Sequence, residues 1–371
     1  MADADIGVWT AEPLPADVKQ ALMRLARLDD VERIAVMPDA HLSAEVCVGL
    51  AVGTRSQLLP AAVGGCIGCG IATRRFDADP ARLGSRAPAI LSALRRVVPI
   101  LRHPRRDALS LPEDLADAPL SSPRLEALKG VEGVLQLGTL GRGNHFVELQ
   151  VDDAGALWLA VHTGSRGLGQ AIRSHHEARD GPGLTCIAAD SPAGVAYRSD
   201  VAWGLRFAAW NRRRIVAAAT EVIAEHLGAE PVACSDLDCN HNFVRHETHG
   251  AWSGWVHRKG AISARRDEPG IIPGSMGTWT FHVQGRGCVD AMQTSSHGAG
   301  RRLSRAQARR RIRVEALRAS LHGVYFDQRR ARQLVDEAPE AYKPIEAVMR
   351  AQRALTRIVR RLRPVLVYKG V

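Results

Sequence analysis

Between Val18 and Leu28 the apolar residues Ala21, Leu22, Leu25 and Leu28 return every three or four positions, the spacing of an amphipathic helix, and a short β-rich run follows at Val31–Met37. Two more apolar runs, Val46–Val52 and Leu58–Val63, lead into Gly64-Gly65-Cys66-Ile67-Gly68-Cys69-Gly70. Glycine at that density predicts a loop that bends tightly or lets something approach its backbone. Asp77–Gly130, rich in Pro, Asp, Ala and Arg, predicts helices joined by irregular connections, with a boundary at Ser121-Ser122-Pro123. Strands are predicted at Phe146–Val151 and Leu157–His162, the second running into Thr163-Gly164-Ser165-Arg166-Gly167. Tyr197–Leu227 reads as one or two helices, with an apolar face through Ile215, Ala218, Val222 and Ile223 and an arginine face at Arg212-Arg213-Arg214. Short strands and glycine turns continue to Gly287, and Leu303–Arg318 and Lys343–Leu362 predict a basic helical C-terminal part from about residue 303. There is no internal repeat and no low-complexity linker. The pattern predicts a single α+β domain over residues 1–371, with central β-sheets, flanking helices and a cleft built from loops at strand ends.

The length of 371 residues and a 46% hydrophobic content suit a large core. The start, Met1 to Pro13, is acidic and broken by prolines, unlike a secretory signal, and no uncharged apolar stretch nears the roughly 18 residues of a membrane span. A cytoplasmic protein without a membrane partner is expected. Seven cysteines without a repeated framework disfavour a disulfide-stapled secreted fold and leave thiols free to bind metal. The net charge of +11 fits an anionic partner such as a phosphate backbone, and fits equally the arginine drift of a GC-rich coding sequence. Lysine is scarce, and the survivors in Lys259-Gly260 and Lys369-Gly370 invite a reason.

Cys66 and Cys69 form a C-x-x-C pair that could chelate metal, act as a redox dithiol or simply be buried. No second such pair completes a four-cysteine zinc site, and glycines surround this one instead of the helix start typical of redox motifs. His145, His162 and His241 each stand beside a predicted strand end among small or polar residues, and with the thiols they compose a plausible mixed Cys/His metal site. His246 with His249, and His175 with His176, imitate ligand pairs but lie among charged neighbours and read as solvated surface. Small residues around His297, in Ser295-Ser296-His297-Gly298-Ala299-Gly300, would expose backbone amides to an anion, with Arg301-Arg302 beside them. No P-loop is present, so any nucleotide is held by another device.

Taken in order, these loops resemble the RtcB family of 3′-phosphate RNA ligases. The resemblance runs through Met37-Pro38-Asp39-Ala40-His41, Pro60 to Gly64, Ile67 to Gly70, Leu137 to Phe146, His162 to Gly167 and His241-Asn242. It continues in Arg258 to Ala264, Ile271 to Gly277, Ser296 to Gly300, Asp336 to Pro339, Ala341 to Lys343 and Lys369-Gly370. The resemblance implies an RtcB-like fold and two divalent metal ions, manganese by expectation, on Cys69, His145, His162 and His241, with Cys66 at the position of a family aspartate. A thiolate there softens the site toward zinc or cobalt. It implies GTP as cosubstrate, in a pocket of Asn144, His145, Phe146, Val147, Glu148, His241, Asn242, Pro273, Gly274, Ser275, Met276, Thr280, His297, Gly298, Ala299, Gly300, Tyr342 and Lys369. His297 would be the catalytic nucleophile, taking GMP and passing it to an RNA 3′-phosphate, or to a 2′,3′-cyclic phosphate once opened, before attack by a 5′-hydroxyl. RNA with such ends and an archease-like activator are the implied partners, in RNA repair or tRNA splicing. Arg166, Arg301 and Arg305 are candidates for RNA phosphates, which suit guanidinium forks.

Three departures stand against that pattern: Cys66 itself, His41-Leu42-Ser43-Ala44-Glu45 where relatives usually carry glycines and a lysine, and a short stretch between Phe76 and Gly130. They support an alternative, an RtcB-like metal- and guanylate-binding protein that has lost ligation and serves as an RNA-binding or accessory factor. A simple metal-dependent phosphoesterase would leave the Pro273–Met276 and Lys369 loops unexplained.

Overall fold

The computed structural model describes residues 4–43, 45–177 and 183–371. The first three residues of the acidic start and Ala44 of the His41–Glu45 departure lie outside these. Two sheets dominate. One has five strands, in the order Asp5–Val8, Val31–His41, Val48–Thr54, Trp252–Lys259 and Asn242–His249. The other has eight, running Leu237–Asn240, Gly70–Asp77, Leu157–Thr163, Phe146–Asp152, Thr356–Lys369, Thr280–Gly285 and Pro269–Pro273, with Glu230–Pro231 added beside Gly70–Asp77. Helices flank both, so the α+β architecture expected from the apolar pattern is the one found.

The helix Ala16–Ala26 lays Val18, Ala21, Leu22 and Leu25 on the five-stranded sheet, against Ile34, Val36, Leu50 and Val52. The apolar run at 31–37 continues as strand to His41. The run at 58–63 leaves the sheet after Leu58, because Pro60 opens a 3-10 turn over Pro60–Ala62.

The helices Leu83–Val97 and Pro192–Leu227 cover the eight-stranded sheet, packing Ile90, Leu94, Ile215 and Ile223 on Val147, Leu149, Leu159 and Val161. Each such side chain contributes roughly 1.5–3 kcal/mol on burial. The 36-residue helix is continuous. Ser191 caps its start by accepting from Gly194 N–H at 3.1 Å, Pro192 occupies its first turn, and Gly228 ends it at φ 60°. Ile215, Val222 and Ile223 are buried as expected, but the arginine face is split. Arg213 and Arg214 are exposed, whereas Arg212 is 1% exposed.

The C-terminal part departs most from expectation. Leu303–Arg318 becomes two short helices, Arg305–Arg311 and Val314–Ser320, and the expected helix over Lys343–Leu362 stops at Ala351. From Thr356 to Lys369 the chain is a strand, central in its sheet between Phe146–Asp152 and Thr280–Gly285. Its arginines suggested a basic helix, but both partners lie far away in sequence, so local propensity could not reveal the pairing. A register shift between Pro364 and Leu366 accommodates the proline, which has no N–H to give the ladder. Among the described residues no helix is long and apolar enough to cross a membrane.

Candidate metal and nucleotide site

Register in the eight-stranded sheet lines up the reactive segments at one end. Gly70 pairs with Thr163 and with Asn240, Ile71 and Phe146 pair with His162, and Phe146 pairs with Lys369. Cys69, His145, His162, His241 and Lys369 are therefore brought side by side from five separate segments. His297 arrives independently. Its neighbour Ser296 pairs with Ala261, and the His297 ring lies against His241 with centroids 4.7 Å apart.

Cys69 Sγ lies 3.4 Å from Nε2 of both His145 and His162, and Cys66 Sγ lies 3.8 Å from His145 Nε2. Two donor groups result, Cys66 with Cys69 and His145, and Cys69 with His162 and His241, each with its donor atoms within 4.8 Å of one another. Nδ1–H of His145 donates to Leu140 O at 2.9 Å and that of His162 to Asn144 O at 3.2 Å, which turns both Nε2 lone pairs toward the thiols. Burial holds His162 and His241 well below the usual imidazole range, so both are neutral, the ligating form. The thiols divide one charge between them. The hydrogen bond from Cys69, with help from His145 and Arg166, holds Cys66 well below the usual thiol range, while that bond and burial keep the proton on Cys69. Such a donor set could hold a divalent metal, and two thiols among imidazoles suit zinc or cobalt better than a carboxylate would.

The long helix clamps this loop from behind. Arg212 donates to Asp238 at 2.6 Å, to Gly68 O at 2.7 Å and to Thr163 O at 3.2 Å. Asn211 accepts from the Gly138 and Thr139 amides and donates to Thr139 O, Thr163 Oγ1 and Gly164 O. Gly164 is required where it stands, because a Cβ there would come within 2.6 Å of Cys66 Sγ.

His297 is oriented by Asp39, the largest omission from the sequence-derived site. Nδ1–H of His297 donates to Asp39 Oδ2 at 2.6 Å, and the backbone N–H of His297 donates to the same oxygen at 3.2 Å. Asp39 is fully buried, and its bond fixes the tautomer that leaves Nε2 with a lone pair. Asp39 lay within the Met37–His41 motif but beyond the Val31–Met37 run and without an assigned role, so only the tertiary contact assigns it.

A cavity of about 390 Å³ joins these parts. Its wall contains Cys66, Cys69, Asn144, His145, Phe146, Glu148, His162, His241, Asn242, Pro273 to Met276, His297 to Arg301, Arg305, Tyr342 and Lys369, all expected from sequence. Three expected residues stand off it. Val147 is packed in the core, and Thr280 lies one layer behind, accepting from Gln150, which also donates to Glu148 at 2.7 Å. Arg166, expected on RNA, instead donates to Thr139 Oγ1 and Ile100 O and lends positive charge to the thiols. His41, Ser43, Val48, Gly64, Gly65, Arg173, Lys259 and Gly260 complete the wall. Of these, the scarcity of lysine had singled out Lys259.

Burial pushes the Glu148 carboxyl up to about 7. Glu337 is the opposite case: burial would raise it, but Lys369 and Arg305 outweigh that and hold it below the usual range. Its carboxylate accepts from Tyr342 at 2.8 Å, Lys369 and Arg305 at 2.5 Å, and Arg301 at 3.4 Å, so both RNA-phosphate candidates on the wall are already paired. The histidine pairs read as surface divide. His175 and His246 are exposed, but His176 bonds buried Asp200 at 2.7 Å and His249 bonds buried Glu247 at 2.9 Å.

A family profile described as tRNA-splicing ligase RtcB matches residues 21–129 and 121–370. The RNA-splicing ligase RtcB of Escherichia coli strain K12 is 33% identical over 404 residues, covering 99% of this chain and 98% of its own length. The RNA-splicing ligase RtcB of Mycobacterium tuberculosis is 31% identical over 438 residues, 94% of this chain and 100% of its own. The tRNA-splicing ligase RtcB of Pyrococcus furiosus is 32% identical over 291 residues, 64% of this chain and 30% of its own. A match of this extent places the chain in the RtcB family.

Proposed function

We propose that this chain is an RNA ligase that uses GTP to activate an RNA 3′-phosphate through a guanylylated His297 and joins it to a 5′-hydroxyl. One observation carries the reading: His297, its Nδ1 engaged by buried Asp39, lies 4.7 Å from the His241 ring of the thiol and histidine cluster and lines the same cavity. Family membership makes RNA the substrate class.

Cys66, Cys69, His145, His162 and His241 would hold two divalent ions, with Cys69 common to both donor groups. Bound there, the ions would neutralise phosphate charge and stabilise the departing pyrophosphate. The His297 Nε2 lone pair attacks the α-phosphorus of GTP, the bond to pyrophosphate breaks, and Asp39 stabilises the positive charge that develops on the ring. An RNA 3′-phosphate oxygen then attacks the same phosphorus and breaks the P–N bond, which leaves the RNA end activated and His297 free. Attack by the 5′-hydroxyl oxygen on the RNA phosphorus expels GMP and seals the strand. A 2′,3′-cyclic phosphate is opened by water beforehand. Glu148 and Lys369 stand where the nucleotide would lie, and the Pro273–Met276 and Gly298–Gly300 loops, joined by the Ala299 N–H to Pro273 O bond of 3.0 Å, form a surface of small residues for it. Arg301 and Arg305 would take RNA phosphates by exchanging Glu337 for them.

The test is incubation with α-labelled GTP and manganese, zinc or cobalt. An acid-labile label on the wild-type chain that is absent from His297→Ala is expected. No label with any of the three metals would instead favour a metal- and guanylate-binding relative without ligation.

A further inference from the structure

Arg173 has no part in the chemistry above, yet it lines the cavity and stands near enough to Lys259 to act on its charge. It comes from the last turns of the helix Arg166–Glu177. Its Nε donates to both Glu177 oxygens at 2.8 Å, which fixes the guanidinium on its own helix. Its NH2 group reaches across to Glu45, on the loop that follows the strand Val31–His41.

The two acids play different parts. Glu177 is a near neighbour on one helix, with a side chain 20% exposed, whereas Glu45 is 48% exposed and bound through one ion pair. Glu45, the more exposed of the two acids, is therefore the partner more readily exchanged for a stronger anion. Lys259 adds a second cation at the same place, with its ammonium donating to Val46 O at 2.8 Å. Burial, then Arg173, push that ammonium down to about 8, a direction that an incoming anion would reverse.

We propose that Arg173, beside Lys259, is a phosphate subsite of the cavity that takes a backbone phosphate of the RNA substrate, with Glu45 as the counter-ion it displaces. The inference rests on the RNA-ligase reading for the identity of the anion. The nucleotide is assigned to Glu148, Tyr342 and Lys369, and Arg173 is assigned to RNA. A guanidinium held by Glu177 keeps its outer N–H groups for a phosphate in the forked geometry that arginine favours.

The experiment measures binding of a short fluorescent RNA bearing a 3′-phosphate to the full chain over a range of salt, alongside labelling of His297 by GTP without RNA. Arg173→Gln is expected to weaken RNA about tenfold and to lower the slope of log affinity against log salt by about one. Arg173→Lys should recover part of the affinity. Glu45→Gln, a change at an exposed position, should tighten RNA about threefold and leave GTP labelling as in the wild type. Unchanged RNA affinity and salt slope in Arg173→Gln, or weaker RNA binding in Glu45→Gln, overturns the proposal. So does a loss of GTP labelling in Arg173→Gln that matches its loss of RNA binding, since that marks damage to the whole cavity. Should the wild type fail to label with GTP, the ligase reading falls while RNA binding still decides the role of Arg173.

Discussion

The two ends of the cavity are built on opposite electrostatic plans. At the thiol and histidine end, burial keeps His162 and His241 neutral, one thiol keeps its proton, and backbone carbonyls, Asn211 and Arg212 fix the positions. At the arginine end, Arg301 and Arg305 carry full charge and are held by the carboxylates of Asp336 and Glu337. The first arrangement keeps its geometry with or without a ligand, because hydrogen bonds to backbone do not depend on what enters. The second must trade partners when an anion arrives, so its affinity depends on the strength of the pairs it gives up. Preorganisation belongs to the chemistry and exchange belongs to substrate capture.

That contrast can be broken in order of expected effect. Asp39→Asn keeps the shape but offers His297 the wrong hydrogen-bond partner, and the rate of His297 guanylylation should fall on the order of 10³-fold; a change under threefold would remove Asp39 from the orienting role. Arg212→Met strips three bonds from the thiol loop and should lower stability by about 3 kcal/mol and reduce bound metal. Thermal unfolding and metal analysis report this, and full metal content in a destabilised chain would show that the loop is held without the clamp.

Glu148 sharpens the comparison from the nucleotide side. Its carboxyl titrates near 7, and a carboxylate is the form that accepts hydrogen bonds from a nucleobase. GTP affinity should therefore fall as pH drops through 7, about tenfold between pH 7.5 and 6, and Glu148→Gln should flatten that profile. Stability runs the other way. An acid whose folded value lies above its ordinary 4.5 favours folding below that value, and the benefit is lost as pH rises through about 7. The stabilisation conferred by GTP should consequently grow with pH, and a pH-independent shift in melting temperature would contradict it.

Sequence alone determined the helix Ala16–Ala26, the strands around 146–163 and the apolar stripe of the 192–227 helix, since periodicity is a local signal, while most of the cavity wall was named by the family resemblance of its loops. The ordered loops also carried the family. Tertiary structure decided what depends on distant partners. Thr356–Lys369 is a strand only because Phe146–Asp152 and Thr280–Gly285 stand ready on either side of it. Arg212 leaves its exposed neighbours for the interior because Gly68 and Thr163 offer carbonyls there, and Arg166 serves the thiols because it stands behind them. Asp39 becomes the partner of His297 across more than 250 residues of chain. A side chain's role is set by what it meets, and that meeting is a property of the packed chain, which no window along the sequence contains.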